Sequence, residues 1–91
     1  MVNNFIGLPL VSIIVPVFNG ERYLRESLDS MIKQTYPRIE ILIMDDASTD
    51  STPNIITSYG KRVRYYRQPR NRGIYGNVND GILMAKGDYI A

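Results

Sequence analysis

The chain has 91 residues, of which 44% are hydrophobic and 22% are charged, a composition typical of one small globular domain and not of a disordered segment. Its formal net charge of +2 is too small to indicate nucleic-acid binding. Because the sequence has no cysteine and no histidine, it excludes disulfides, thiolate metal sites and imidazole bases, and any divalent metal would need oxygen ligands.

The start of the chain and its apolar runs contain no targeting signal. Residues 1–9 lack a positively charged segment and include Pro9, so we expect a loose leader before the first strand. No apolar run approaches the roughly 18–20 residues that cross a bilayer. We therefore expect a cytoplasmic protein, with membrane association through other regions left open.

Two apolar runs in the first half predict buried parallel strands. Residues 10–17 and 39–44 are apolar on both faces and rich in valine or isoleucine, which is typical of central strands covered on two sides. Pro16 is expected at the end of the first strand, because proline cannot donate a hydrogen bond to a sheet. Between the strands, helical spacing of apolar residues from Tyr23 to Ile32 predicts a helix capped by Asn19.

The second half predicts two further helices and two further strands. Thr52-Pro53 begins a short helix, Val63 and Tyr65 lie in a third strand, and residues 75–86 form a third helix. Residues 88–91 begin a fourth strand. The order β-α-β-α-β-α-β predicts an α/β fold with a Rossmann-like parallel sheet. Because the fourth strand stops after about four residues, we expect residues 1–91 to be a single truncated domain.

Polar clusters follow three of these strands at their carboxyl ends. In open parallel sheets, ligands bind in the crevice beyond those ends. The clusters are residues 16–21, residues 45–48 and residues 67–73. Their coincidence predicts a ligand site at this edge of the sheet.

The first two clusters contain candidates for nucleotide binding, each with a structural alternative. Phe18 can stack on a nucleobase or pack beneath its loop. Asn19 and Glu21 can bond a ribose or a diphosphate, or cap the first helix. One carboxylate of Asp45 and Asp46 can accept a hydrogen bond from a base N–H, or the pair can form an Asx-turn. Two adjacent acids without a third ligand are a weak metal site.

The third cluster lies in a basic segment that contains no acid. Arg70 and Arg72 are candidates to neutralise a diphosphate, and Gly73 leads into a helix whose N-terminus favours anions. Because the basic stretch is short, we expect no nucleic-acid partner. Three earlier basic residues of the segment are expected on a solvated strand face: Lys61, Arg62 and Arg64.

Three blocks of sequence resemble those of the family 2 glycosyltransferases. The first block consists of residues 11–20, Tyr23-Leu24, Ser27-Leu28 and residues 34–36. The second block consists of residues 39–41 and 44–52. The third block consists of residues 71–73, Asn79, Gly81-Ile82 and residues 85–91. The resemblance implies the nucleotide-binding half of a GT-A fold. It also implies a nucleotide-diphospho-sugar donor, usually UDP-linked, and a reaction that inverts the anomeric carbon by direct attack of an acceptor hydroxyl.

The resemblance also implies which residues bind the nucleotide. Phe18 would border the base, and Asp46 would bond the uracil ring with Asp45 as a second candidate. The implied pocket consists of Pro16, Phe18, Asn19, Glu21, Asp46, Asn71 and Gly73. Val78 stands where many relatives have a basic residue, which puts a phosphate contact there in doubt.

Other parts of the implied machinery are expected beyond Ala91. The Asp-x-Asp metal motif of the family normally begins a few residues later, and its catalytic base lies further on. We therefore expect Mg²⁺ or Mn²⁺ in the intact protein, but no metal site and no catalytic residue in this chain, which alone would be inactive. A glycan or other hydroxyl acceptor would bind the missing half, in polysaccharide or cell-envelope glycan synthesis.

Two alternatives to an enzyme fragment stay open. The chain can be a nucleotide-binding module without catalysis. It can also self-associate, because an uncovered sheet edge and apolar helix faces favour contact with other chains.

Overall fold

The computed structural model describes residues 7–91, so the expected leader, residues 1–9, lies mostly outside the described residues. The end of that leader is held in place, since the Arg38 guanidinium donates to the Leu8 carbonyl and the Tyr36 hydroxyl donates to the Pro9 carbonyl. The secondary structure elements are β1 (Val11–Val17), α1 (Leu24–Ile32), β2 (Ile39–Asp45), α2 (Thr52–Thr57), a 3-10 turn (Gly60–Arg62), β3 (Arg64–Arg67), α3 (Gly73–Met84) and β4 (Tyr89–Ile90).

The four strands form one parallel sheet in the order β3-β2-β1-β4, which confirms the predicted Rossmann-like α/β architecture. β1 and β2 pair in register from Val11 opposite Ile39 to Val17 opposite Asp45. Because both central strands end at the same level, the loops that follow them begin side by side. Within residues 7–91, no helix has the length and hydropathy needed to span a membrane.

Helices α1 and α2 cover one face of the sheet. Leu24 and Leu28 are four residues apart on α1 and fully buried, because residues at this spacing share one face of a helix. Burying such a side chain stabilises the fold by about 1.5–3 kcal/mol. The buried core on this face consists of Val17, Leu24, Leu28, Ile41, Ile43, Ile56 and Tyr59.

Helix α3 covers the other face at close range. Its Gly81 lies directly over Ile14 and Met44, so that a Cβ at residue 81 would be 2.9 Å from a carbon of each. The absence of a side chain at Gly81 therefore sets how closely α3 approaches β1 and β2. This approach also places the N-terminus of α3 at the carboxyl end of the sheet.

The sequence predicted that Pro16 ends the first strand, but β1 continues to Val17 and Pro16 lies within it. The backbone groups of Ser12 and Ile14 face β4 and hydrogen-bond with Ala91. Pro16 faces the same side, since alternate residues of a strand point the same way, but β4 ends at Ile90. Its missing N–H therefore costs no strand hydrogen bond within residues 7–91.

The first helix starts later than predicted. Asn19 does not cap it, because Asn19 has a left-handed φ of 51° and α1 begins only at Leu24. The backbone N–H groups of Tyr23 and Leu24 both donate to the Gly20 carbonyl, which makes residues 20–23 a turn. Gly20 and Glu21 therefore lie before the helix and not in its first turn.

The basic segment does not form a solvated strand face. Lys61 and Arg62 lie in the 3-10 turn, where the Arg62 guanidinium stands 4.9 Å from the centre of the Tyr59 ring. Arg64 begins β3 and forms an ion pair with Glu40 at 2.5 Å. In addition, α3 begins at Gly73, two residues before its predicted start at Tyr75.

Glu40 connects β1, β2 and β3 to the segment between α3 and β4. Its carboxylate accepts hydrogen bonds from the Ser12 hydroxyl at 2.5 Å, the Lys86 N–H at 2.9 Å and the Arg64 guanidinium. The Ser12 hydroxyl oxygen also accepts from the Gly87 N–H at 2.8 Å. Burial raises the pKa of Glu40, but the three hydrogen bonds outweigh it and hold the pKa below its ordinary value.

We expect two alanine substitutions in α3 to change stability in opposite directions. Gly76→Ala should raise the free energy of unfolding by about 0.5–1 kcal/mol, because a Cβ there meets only ordinary contacts with Arg72 and alanine favours the helix. Gly81→Ala should lower it by about 1–3 kcal/mol through overpacking against Ile14 and Met44. Urea unfolding measures both, and an equal effect of the two variants would contradict the close approach of α3.

The pH dependence of stability should contain a contribution from Glu40. Because the folded-state pKa is depressed, this contribution is fully present above the unfolded-state value of 4.5 and is lost as pH falls through the lower folded-state pKa. Glu40→Gln should therefore cost about 1–3 kcal/mol at pH 7 and progressively less below pH about 4. Urea unfolding across pH measures this, with the exposed Glu26→Gln as control; parallel curves for wild type and Glu40→Gln would refute the role.

Candidate functional site

An open cavity of about 340 Å³ lies at the carboxyl ends of β1 and β2, beside the N-terminus of α3. This volume is within the range of small-molecule sites, about 300–1,000 Å³. The residues that line the cavity are Pro16, Val17, Phe18, Tyr23, Asp46, Asn71, Gly73, Ile74 and Asn77. The structure thus brings together Pro16, Phe18, Asp46, Asn71 and Gly73 of the pocket that the sequence implied.

The rim of the cavity is apolar and exposed. Phe18 immediately follows β1 and is 51% exposed, and Ile74 in the first turn of α3 is 64% exposed. Tyr23 adds a second aromatic ring to the lining. Exposed aromatic and aliphatic side chains around an open cavity form a surface suited to a flat, partly apolar ring.

Asp46 is the acidic residue of the cavity lining and is only 5% exposed. Its Oδ1 accepts a hydrogen bond from the Arg72 N–H at 2.6 Å, and its Oδ2 accepts one from the Gly73 N–H at 3.0 Å. Both donors are at the N-terminus of α3, where backbone N–H groups lack partners within the helix and the dipole favours negative charge. The first turn of α3 therefore fixes the orientation of this carboxylate.

Asn71 and Gly73 build the turn that delivers those donors. Gly73 has a φ of +78°, a left-handed conformation that glycine adopts without strain. The Asn71 side-chain oxygen accepts from the Gly73 N–H at 3.1 Å. The conformation of the loop before α3 therefore orients the N–H groups of Arg72 and Gly73 toward Asp46.

Asn19 and Glu21 lie outside the cavity lining and join two loops. The Asn19 side-chain oxygen accepts from the N–H groups of Thr49 at 2.7 Å and Asp50 at 3.2 Å. The Glu21 carboxylate accepts from the N–H and the hydroxyl of Ser51 at 2.9 Å and 2.7 Å. The two bonds from Ser51 lower the pKa of Glu21. Together with the bonds to Asn19, they hold the loop after β1 against the loop after β2.

Asp45 is fully buried and does not line the cavity. Its carboxylate accepts from the Ser48 N–H at 3.0 Å, which closes a local turn, and from the Tyr65 hydroxyl at 2.7 Å. Burial and then the bond to Asp45 raise the pKa of the Tyr65 hydroxyl. Of the two adjacent acids, Asp45 is therefore bound to β3, and Asp46 faces the cavity.

The two arginines proposed for a diphosphate differ in their surroundings. Arg72 directs its guanidinium away to Asp80, with Nε–Oδ2 at 3.0 Å and Nη2–Oδ1 at 2.9 Å. This pair raises the pKa of Arg72 and lowers the pKa of Asp80. Arg70 is exposed, and no hydrogen bond or ion pair engages its side chain within residues 7–91. Neither arginine lines the cavity.

Four cavity residues were not among the sequence-derived candidates: Val17, Tyr23, Ile74 and Asn77. Tyr23 was assigned to the helix core, and Ile74 was placed before the third helix. Asn77 is 1% exposed, in the middle of α3, and its amide donates to the Met44 carbonyl at 2.7 Å. A polar residue on the apolar face of a predicted helix was the available signal for Asn77, because buried amides need specific partners.

The described residues do not fit a divalent metal. Between residues 7 and 91, no three acidic side chains converge on a common point. Asp45 and Asp46 are adjacent in sequence, but their carboxylates bind the separate donors given above. Because Ca²⁺, Mg²⁺ and Mn²⁺ need several oxygen ligands around one point, these two acids do not form a metal centre.

Comparisons with known proteins agree with this geometry. The sequence matches the model of Glycosyl transferase family 2 over residues 12–91. A protein of Rickettsia felis, named an uncharacterized glycosyltransferase, is 46% identical over 85 residues that cover 91% of this chain and 14% of the relative.

Solved structures of similar proteins share the fold. The mannosyltransferase PcManGT of Pyrobaculum calidifontis, in complex with GDP-Man and Mn²⁺, has a TM-score of 0.84 and 29% identity, covering 90% of this chain and 26% of that one. TarS of S. aureus (1-349), in complex with UDP-GlcNAc, has a TM-score of 0.83 and 31% identity, covering 89% and 25%.

The chain therefore spans about a quarter or less of the length of these proteins. The similarity runs through the strands and loops that build the cavity, and it confirms the predicted Rossmann-like part of a GT-A fold. The chain belongs to Glycosyl transferase family 2.

Proposed function

We propose that this chain forms the nucleotide-binding part of a glycosyltransferase that uses a nucleoside-diphosphate sugar as donor. The observation that carries the proposal is the Asp46 carboxylate, held by two backbone N–H groups at the wall of an open cavity with an apolar rim. Membership of Glycosyl transferase family 2 supports it. So do the GDP-Man and UDP-GlcNAc bound to the similar proteins.

Asp46 is suited to recognise a base by its ring N–H. Each carboxylate oxygen accepts one hydrogen bond from α3 and can accept another, because an ionised carboxylate has about four lone-pair sites. Uracil and guanine offer a ring N–H there, whereas adenine and cytosine offer a ring nitrogen without hydrogen. A buried acceptor discriminates against ligands that leave it unpaired.

Phe18, Tyr23 and Ile74 complete the proposed base site. Their exposed apolar surfaces surround the cavity, and a base that bonds Asp46 would rest against them. Pro16 and Asn71 contribute to the walls near Asp46. We propose UDP as the preferred nucleotide, since uracil is the smaller of the two rings that can donate to Asp46. Arg70 remains a candidate for the diphosphate because its exposed side chain lies in the loop before α3.

The chemistry of transfer belongs to the intact protein. We propose an inverting displacement, in which an acceptor hydroxyl oxygen bonds to the anomeric carbon as the bond to the nucleoside diphosphate breaks. The acceptor, the base that takes the hydroxyl proton and a Mg²⁺ or Mn²⁺ ion would be held by residues other than those described. A cytoplasmic location and a role in polysaccharide or cell-envelope glycan synthesis complete the proposal.

Self-association is a second candidate property, favoured by exposed apolar side chains on α3 and β4. Leu83 is 85% exposed, and Tyr89 is 63% exposed. Ile82 and Ile90 are exposed as well. Exposed apolar patches on small proteins often mark contacts with other chains.

A titration of UDP, GDP and ADP into the ¹⁵N-labelled chain tests the proposed function. We expect UDP to shift the amide signals of Phe18, Asp46 and Asn71 with an affinity on the order of millimolar, and ADP to leave them unchanged. Repeating the titration at two protein concentrations distinguishes UDP binding from self-association, because self-association shifts signals with the concentration of protein and not with that of UDP. A folded spectrum that no nucleotide perturbs would contradict the proposal.

A further inference from the structure

Two buried amide side chains, Asn77 in the cavity lining and Gln68 behind it, form a network that nucleotide contacts do not explain. Gln68 follows β3 and is 2% exposed, and Asn77 lies on α3. The Gln68 amide nitrogen donates to the Asn77 side-chain oxygen at 3.2 Å and to Asp80 Oδ2 at 2.8 Å. Its backbone N–H donates to the Asp45 carbonyl at 2.8 Å. Gln68 thus joins the ends of β2 and β3 to α3.

The remaining bonds close this network into a ring. The Asp80 carboxylate accepts two hydrogen bonds from the Arg72 guanidinium, and the backbone N–H of Arg72 donates to the Asp46 carboxylate. At the other end, Asn77 donates to the carbonyl of Met44, two residues before Asp46. The hydrogen bonds therefore leave the end of β2 at Met44 and return to it at Asp46.

The ring holds the beginning of α3, the part of the helix on which Asp46 depends. Gly81 packs on the sheet two turns further along, whereas Ile74 and Tyr75 in the first turn are exposed and contribute little apolar packing there. Gln68 and its partners fix the first turns of α3 against β2 and β3. Within the described chain no buried side-chain nitrogen or oxygen lacks a partner, so the network is complete, as buried polar groups require.

We propose that Gln68, Asn77 and Asp80 are positioning residues that set base selectivity by holding the N-terminus of α3 against Asp46. The inference rests on the proposed function for the role of Asp46 toward a base. Gln68 does not line the cavity, so any effect of its substitution on nucleotide binding passes through the ring.

Gln68→Met tests the inference, because it keeps the length of the side chain and removes both donors. We expect the variant to bind UDP about three- to tenfold more weakly and to show a smaller ratio of UDP to CDP affinity, since a loosened Asp46 discriminates less between a ring N–H and a bare ring nitrogen. Without nucleotide, the Arg72 and Gly73 amides should exchange with solvent about three- to tenfold faster. The control is Gln34→Met, at the other glutamine of the chain, which is exposed; it should change none of these quantities.

The outcomes separate this inference from the proposed function. If the wild type binds UDP and Gln68→Met has the same affinity, selectivity and amide exchange as the wild type, the positioning role alone is overturned. Wild type that binds no nucleotide would overturn the proposed function and the selectivity role together. If Gln68→Met does not fold, Asp80→Asn at the partly exposed end of the ring should shift the same quantities in the same direction by a smaller factor, and unchanged values there would equally overturn the role.

Discussion

The site depends on one interaction, the pairing of the Asp46 carboxylate with the N–H groups of Arg72 and Gly73. It joins the end of a central strand to the start of α3, and it satisfies two donors that the helix itself leaves without partners. The same bonds place a nearly buried negative charge where the helix dipole stabilises it. A carboxylate held in this way is already oriented before a ligand arrives, so a ligand that bonds it need not order it first.

The surrounding loops are fixed by side chains that do not themselves face the cavity. Asn19 and Glu21 hold the loop after β1 against the loop after β2, and Asp45 fastens the latter to Tyr65 of β3. Backbone pairing continues this alignment, since the Asp46 N–H donates to the Val17 carbonyl at 2.8 Å. These hydrogen bonds hold the loops that carry the apolar rim of the cavity. A ligand can therefore bind without a large rearrangement of these loops.

The sequence predicted those features that local patterns determine. Runs rich in valine and isoleucine indicated β1 and β2, and polar clusters at strand ends indicated the position of the cavity. The sequence could not show which of Asp45 and Asp46 faces the cavity, because that depends on the partners that β3 and α3 supply from 20 and 26 residues away. For the same reason it could not show that Asn19 adopts a left-handed conformation and serves the second loop instead of α1. Nor could it show that Arg72 turns away from the cavity to pair with Asp80.

The central claim is that Asp46 accepts a hydrogen bond from the ring N–H of a nucleobase. The most direct test compares the dissociation constants of UDP and 3-methyluridine diphosphate, which differ only at the base nitrogen that would donate. Isothermal titration of the unmodified chain avoids any change in its stability. We expect the methylated nucleotide to bind at least about tenfold more weakly, because the donor is lost and a methyl group faces a carboxylate. Equal affinities would show that Asp46 does not recognise the base.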